Sequence, residues 1–236
     1  PFGEDAKICL NGVIDRVDLC SLPGEKLIKI IDYKSSDSQD LLLAKVYYGL
    51  QMQLLTYLEA AKEMVEKEHE GKEAVPAAML YYVIKEKNLD WKPESEEEYE
   101  KRVLDSMKCK GYVNEEPEII GHLDKSVVNG GELIPGQKSG VVPVAVDKKG
   151  LLKKNSGTLS TKDFETLIAH TKEKMKECGK AILDGKIEAI PYVYEDNDGC
   201  TYCPYGSVCG HESKKDGVRE MKKMSDDEVW EALYGD

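Results

Sequence analysis

The chain has 236 residues, 41% hydrophobic and 33% charged, which suits one large domain or two small ones with a substantial core. Its formal net charge of −12 counts against a free-standing nucleic-acid binder, but not against a nuclease whose metal ions supply local positive charge. No apolar run approaches the roughly 20 residues needed to span a bilayer, and no basic and apolar leader opens the chain. Seven cysteines, an odd number, argue against a disulfide framework and predict a cytoplasmic setting. A start at Pro1, without an initiator Met, is read as a fragment of something longer.

Residues 6–20 and 26–35 are rich in β-branched Val and Ile, with turn chemistry at Leu22-Pro23-Gly24-Glu25 between them. They are predicted to pair as an antiparallel hairpin. A polar segment, Ser35-Ser36-Asp37-Ser38-Gln39-Asp40, breaks the pattern. Over 41–69 the period turns helical: Leu50, Leu54, Leu58, Ala61 and Val65 form one stripe, and Gly71 is a stop. Residues 77–85 read as a buried strand. Strand, strand, helix, strand predicts an α/β fold with a mixed sheet. Residues 86–157 are expected to be an irregular insertion, with an exposed helix over 94–108 and one strand over 141–146. Ser160 or Thr161 should cap a helix that ends at Gly185. Residues 187–194 read as extended around Pro191, and 225–234 as a short amphipathic helix.

Side chains alternate along a strand, so Asp32 and Lys34 share a face and Tyr33 points away. Asp15 adds a second carboxylate from the neighbouring run. Two readings stand here: a salt-bridged hairpin, or a site that holds a divalent ion beside a phosphate. Mg²⁺ takes oxygen ligands and keeps several waters, so a few carboxylates suffice. Phosphodiester hydrolysis needs a deprotonated water and a stabilised leaving oxygen, and such ions supply both. Asp15 and Asp32 would be the ligands, with Asp18 as fallback, and Lys34 would orient water or neutralise developing charge. The four histidines, His69, His122, His170 and His211, form no metal-type pair, and no phosphate loop is present. Tyr47, Tyr48, Tyr81, Tyr82, Tyr202 and Tyr205 offer either stacking faces for single-stranded DNA or ordinary packing.

Cys200, Cys203 and Cys209 form a C-x₂-C-x₅-C loop. Three such thiols can converge on a soft metal, but zinc and iron–sulfur sites take four ligands as a rule. By spacing, His211 would complete a zinc site.

Taken together, Ile14-Asp15-Arg16-Val17-Asp18, Ile31-Asp32-Tyr33-Lys34-Ser35 and Tyr48-Gly49-Leu50-Gln51-Met52-Gln53 resemble the PD-(D/E)xK nuclease superfamily, and more narrowly its RecB-like domains. Asp15 falls on the first acidic position, Asp32 on the second, Lys34 on the motif lysine and Gln51 on the helix glutamine. Gln53 and Tyr57 give a second Gln-x-x-x-Tyr register. The resemblance implies a restriction-endonuclease-like core, a central mixed sheet flanked by helices, spanning 1–236 as one domain with a Cys loop at 200–209. RecB-like domains of the AddB type carry three such cysteines, which ligate a 4Fe–4S cluster with a fourth cysteine further upstream. Cys200, Cys203 and Cys209 match; the fourth, and the family's upstream His or Glu metal ligand, have no match here. The cluster is therefore expected to be incomplete in this stretch. The activity implied is that of a Mg²⁺- or Mn²⁺-dependent exodeoxyribonuclease domain of a helicase–nuclease subunit. It would act on single-stranded DNA or duplex ends in double-strand-break repair, with an AddA-like helicase/nuclease subunit as partner and no membrane. The alternatives are a stand-alone CRISPR-associated-type exonuclease and a non-catalytic DNA-end-binding scaffold.

Overall fold

The computed structural model describes residues 7–35, 40–84, 95–212 and 216–235. Expectations that fall on residues 6, 36–39 and 85–94 lie outside them. The hairpin is present: β1 (Arg16–Ser21) pairs antiparallel with β2 (Glu25–Lys34). β1 is shorter than the expected 6–20 run: the ladder stops at Arg16 and Ile31, and beyond it the Tyr33 N–H goes to the Asp15 side chain. The chain before Arg16 packs instead. Ile14 joins the main core, and Gly12 lies against Tyr57, where a Cβ would stand 3.6 Å from Cε1.

The single helix expected over 41–69 is two helices, α1 (Leu43–Tyr47) and α2 (Gln53–Glu68). Gly49, at φ 77°, takes the left-handed position just past α1. Its N–H donates to Val46 O at 2.9 Å, and the Leu50 N–H donates to Lys45 O at 2.7 Å. These paired bonds make a Schellman turn, which closes α1 and redirects the chain. Leu54, Leu58, Ala61 and Val65 keep the predicted buried stripe on α2.

The remaining elements are β3 (Glu73–Val83), α3 (Glu96–Ser106), β4 (Lys110–Asn114), α4 (Pro117–Leu123), β5 (Val128–Asn129), β6 (Glu132–Leu133), β7 (Thr158–Leu159) and α5 (Thr161–Leu183). After them come β8 (Tyr192–Tyr194), β9 (Asn197–Asp198), α6 (Gly206–Cys209), β10 (Arg219–Met221) and α7 (Asp226–Tyr234). The fold is α/β, built on a mixed five-stranded sheet in the order β1-β2-β3-β4-β7. β2 and β3 run parallel, β3 and β4 antiparallel, and β4 and β7 parallel.

Two expectations for the 86–157 stretch are corrected. It is not wholly irregular, since β4 joins the main sheet and α4 covers it. The 141–146 run is no strand: Val142, Val144 and Val146 are buried, but Pro143 has no N–H for a ladder, and only isolated bridges form. The helix expected over 94–108 is α3, with no buried residue.

One sheet face packs Ile28, Ile30, Met79 and Tyr81 against Leu54, Leu58, Phe164 and Leu167 of α2 and α5. The other packs Ile31, Leu80 and Val113 against Ile120, Val142 and Val144. A bulge in β3 beside Ile28 puts Met79 and Tyr81 on the α2 side. Pro76 sits at that bulge, where a strand tolerates it. Its carbonyl accepts from buried Asn114 Nδ2 at 3.0 Å, so the irregularity leaves no orphan there.

α5 starts as the sequence predicts, with Ser160 as cap: its hydroxyl accepts from Asp163 N–H at 3.1 Å, and Asp163 Oδ2 accepts from Ser160 N–H at 2.9 Å. Partial burial raises the Asp163 pKa, and hydrogen bonds from Ser160 and Tyr234 more than reverse this, leaving it below the ordinary carboxylate value. Such a group stabilises the fold above its unfolded pKa, and the contribution is lost as pH falls through the lowered value. Ser160→Ala is therefore expected to cost about 1 kcal/mol at neutral pH. In denaturant titrations the gap from wild type should shrink as pH falls below about 3.9; a gap that holds constant to low pH would exclude this linkage.

Candidate active site

The topology gathers the charged motif residues at one sheet edge. β2 and β3 are parallel and linked through α2, so α2 begins near the end where β2 finishes. Ligand sites in open α/β sheets lie outside such carboxyl ends. The β1–β2 ladder ends at Arg16 and Ile31, and Asp15, just before it, sits beside the end of β2, where its carboxylate takes the Tyr33 N–H. Alternation along β2 places Asp32 and Lys34 on the face of Ile28 and Ile30.

Asp32 is only 4% exposed. Lys34 Nζ stands 2.6 Å from Asp32 Oδ2, an ion contact too oblique for a hydrogen bond. That buried oxygen has no hydrogen-bond donor. Asp15 Oδ2 accepts from the Tyr33 N–H at 2.9 Å. Lys34 Nζ donates to Gln53 Oε1 at 2.9 Å, and Gln53 Nε2 donates to the Tyr57 hydroxyl at 3.0 Å. Nζ also lies 5.2 Å from the Tyr81 ring centroid, within cation–π reach. Burial, and then the Asp32 charge, push the Tyr81 hydroxyl up to about 12, so it stays protonated at neutral pH.

Gln51 is occupied elsewhere. Its Oε1 accepts from Leu42 N–H at 2.9 Å, and its Nε2 donates to Asp40 O at 3.0 Å. The Schellman turn explains this, because Gln51 precedes α2 and faces the loop that enters α1. Of the two glutamine registers, the structure brings Gln53 and Tyr57 to Lys34, and not Gln51. Lys110, a residue without a predicted role, opens β4 opposite Tyr81 and pairs with Asp40 Oδ1 at 2.6 Å. Lys110 and Gln51 thus hold the same loop. No sequence signal points to Lys110, because β4 itself is not predicted.

Asp18 lies on the other face of the sheet, opposite Lys29. Its carboxylate pairs with Arg16 Nε and Lys29 Nζ, each at 2.8 Å. Partial burial raises its pKa, and the two cations more than offset this, so it sits below the ordinary carboxylate value. The structure does not bring it to Asp32.

Hard cations take carboxylate oxygens, and the two carboxylates at this edge, one with a buried oxygen lacking a donor, fit that chemistry. Among the described residues, no three His, Cys, Asp or Glu side chains are gathered as a metal cage. A divalent ion here would keep much of its shell as water, as Mg²⁺ does.

The cysteine loop is shaped by Asp198, whose Oδ1 accepts from Cys200 N–H at 2.9 Å and Thr201 N–H at 2.6 Å. Cys200, Cys203 and Cys209 are exposed free thiols. Desolvation, followed by Asp198 and the two other thiols, pushes the Cys200 thiol above its ordinary value. The buried His211 ring faces Asp216, with Nδ1 3.7 Å from Oδ2, and does not join the thiols in a metal cluster. Three thiolates are one short of the four that a 4Fe–4S cluster takes. Cys20 is 3.8 Å from His122 and Cys109 is buried in the sheet core, so neither is gathered with the loop. The described residues do not fit a complete cluster.

Residues 1–210 match the PD-(D/E)XK nuclease superfamily. The chain is 36% identical over 233 residues to a subunit of the ATP-dependent helicase/deoxyribonuclease of Lachnoclostridium phytofermentans, covering 97% of this chain and 20% of that protein. The like-named protein from Thermoanaerobacter sp. is 35% identical over 234 residues, covering 98% of this chain and 19% of that protein. The one from Clostridium perfringens is 35% identical over 236 residues, at 99% and 20%. This chain spans about a fifth of the length of these relatives. With the fold, the matched residues and a carboxylate–lysine edge in agreement, the chain belongs to the PD-(D/E)XK nuclease superfamily.

Proposed function

We propose that residues 1–236 act as one divalent-metal-dependent exodeoxyribonuclease unit of a helicase–nuclease subunit, cutting DNA during double-strand-break repair alongside an AddA-like partner. The observation that carries this reading is the Asp32 carboxylate, buried beside Lys34 with one oxygen lacking a donor. Asp15 and Asp32 would hold Mg²⁺ or Mn²⁺. An ion bound there supplies an activated water and offsets charge on the phosphate. Lys34 places a cation beside the scissile phosphate, where negative charge grows in the transition state. Gln53, oriented by Tyr57, holds Nζ at the strand end and keeps it from collapsing onto Asp32 alone. Cys200, Cys203 and Cys209 would serve an iron–sulfur cluster completed from outside this chain, with no part in the cleavage step.

The test is degradation of end-labelled linear single-stranded DNA. Wild type should degrade it with Mg²⁺ and stop with EDTA, while circular single strands resist. No Mg²⁺-dependent degradation would sink the reading, and equal cutting of circles would remove its exonuclease part. Gln53→Ala should lower kcat about 10- to 100-fold, as loss of an outer supporting contact does. Gln51→Ala, which loosens only the loop, should lower kcat less; equal losses would contradict the assignment of Gln53 to Lys34.

A further inference from the structure

A cleft of about 310 Å³ opens between α1 and the cysteine loop. Its walls include Tyr192, Tyr194, Tyr202, Lys45, Gln51 and Asn197. Tyr194 is buried and fixed, its ring 6.1 Å from that of Tyr48. Lys45 Nζ stands 5.8 Å from the Tyr194 ring centroid, and among the described residues no carboxylate makes an ion pair with it. Tyr202 is 93% exposed, so packing does not account for its ring. The acid in the wall, Asp198, turns its Oδ1 back onto Cys200 and Thr201. Nearby Glu195 pairs with Lys223 at 2.7 Å. Gln51, in the wall of this cleft, also holds Asp40 and Leu42 at the entry to α1.

We propose that this cleft receives an unstacked base of single-stranded DNA, with Lys45 at the adjoining phosphate. The inference rests on the nuclease reading above for its ligand class and adds the subsite. The exposed Tyr202 ring, with Tyr192 beside the same cavity, suits any base, because every base has a π-face. The Asn197 amide offers a donor and an acceptor to a base edge. Bases in a duplex already stack on one another, so the cleft favours single strands. The lysine supplies the positive charge that the chain as a whole lacks.

The test is fluorescence anisotropy of a labelled oligothymidylate in EDTA, which prevents cleavage. Tyr202→Ala should raise Kd about 5-fold or more, the worth of one lost stacking contact. Tyr202→Phe, which keeps the ring, should bind as wild type does, and Lys45→Gln should flatten the salt dependence. A blunt duplex of the same length should be bound equally by wild type and Tyr202→Ala. Equal oligothymidylate affinity for wild type and Tyr202→Ala, or equal loss on duplex, would overturn the subsite. Absence of Mg²⁺-dependent cleavage of DNA by wild type would instead overturn the nuclease reading, which separates the two.

Discussion

Asp32→Asn is expected to lower Mg²⁺-dependent cleavage of single-stranded DNA by about 10³-fold or more, while leaving the chain at least as stable as wild type. The loss follows from the reaction: one preorganised charge at a transition state is worth about 10²–10³, and here that charge would also hold the ion. Retained stability follows from burial. Asp32 is 4% exposed, and its Oδ2 has an ion contact but no hydrogen-bond donor. A buried carboxylate supported so thinly costs desolvation that its partner does not fully return. Lys34 is not stranded by the change, because it keeps Gln53 as an acceptor and its side chain is 22% exposed. Sites built for function often trade stability in this way. Steady-state cleavage and thermal melting of the same preparations decide it. Wild-type activity in Asp32→Asn would remove Asp32 from the reaction. Lost activity with a melting point more than about 5 °C lower would make the residue structural instead.

Gly111→Ala should be the most damaging single methyl in the sheet, at about 4 kcal/mol. Gly111 has φ 125°, a backbone that side chains rarely adopt, at a cost of order 1–3 kcal/mol. A Cβ there would stand 2.3 Å from Met79 O and 3.2 Å from Leu80 Cα. Both atoms are backbone of β3, the strand buried on both faces, so nothing flexible can give. Overpacking of this kind adds about 1–3 kcal/mol. The squeeze continues outward: a Cβ on Gly157 would meet Gly111 O at 2.3 Å. Three backbones therefore stack with no side chain between them. Gly24→Ala is the control. It has φ 83° but nothing within 4 Å of its Cβ, so it should cost only the backbone part. Chemical denaturation of both variants separates strain from contact; equal losses would refute the contact argument. Because β4 begins at Lys110, Gly111→Ala should also free Asp40 and weaken cleavage.

The residues that make the edge are legible where a strand's period of two decides them. Asp32 and Lys34 share a face by alternation, and Leu22-Pro23-Gly24-Glu25 closes the hairpin that brings Asp15 to the Tyr33 N–H near the end of β2. Gly49 is where the sequence misleads. It lies within the 41–69 run that reads as one helix, just before the stripe that starts at Leu50, and only the hydrogen bonds past Val46 show that the helix closes there. The choice between Gln51 and Gln53 depends on that turn, so it cannot be read from the sequence alone. β4 is hidden for a related reason: it is short, opens with Lys110 and Gly111, and owes its place to backbone contact with β3. Pro76 does carry a signal, since a proline inside a strand marks a bulge, but the apolar run that announces the strand starts only after it.

The crossover from β2 through α2 to β3 also bears on how the molecule comes together. The contacts that define the edge, among Asp15, Asp32, Lys34, Gln53 and Tyr57, join residues at most 19 apart in sequence. Loop closure over such spans costs little entropy, and local contacts of low order form quickly. β4, β7 and α5 must wait for longer loops to close. The charged edge can therefore take shape early, with the rest of the sheet and α5 docking onto an arrangement already set.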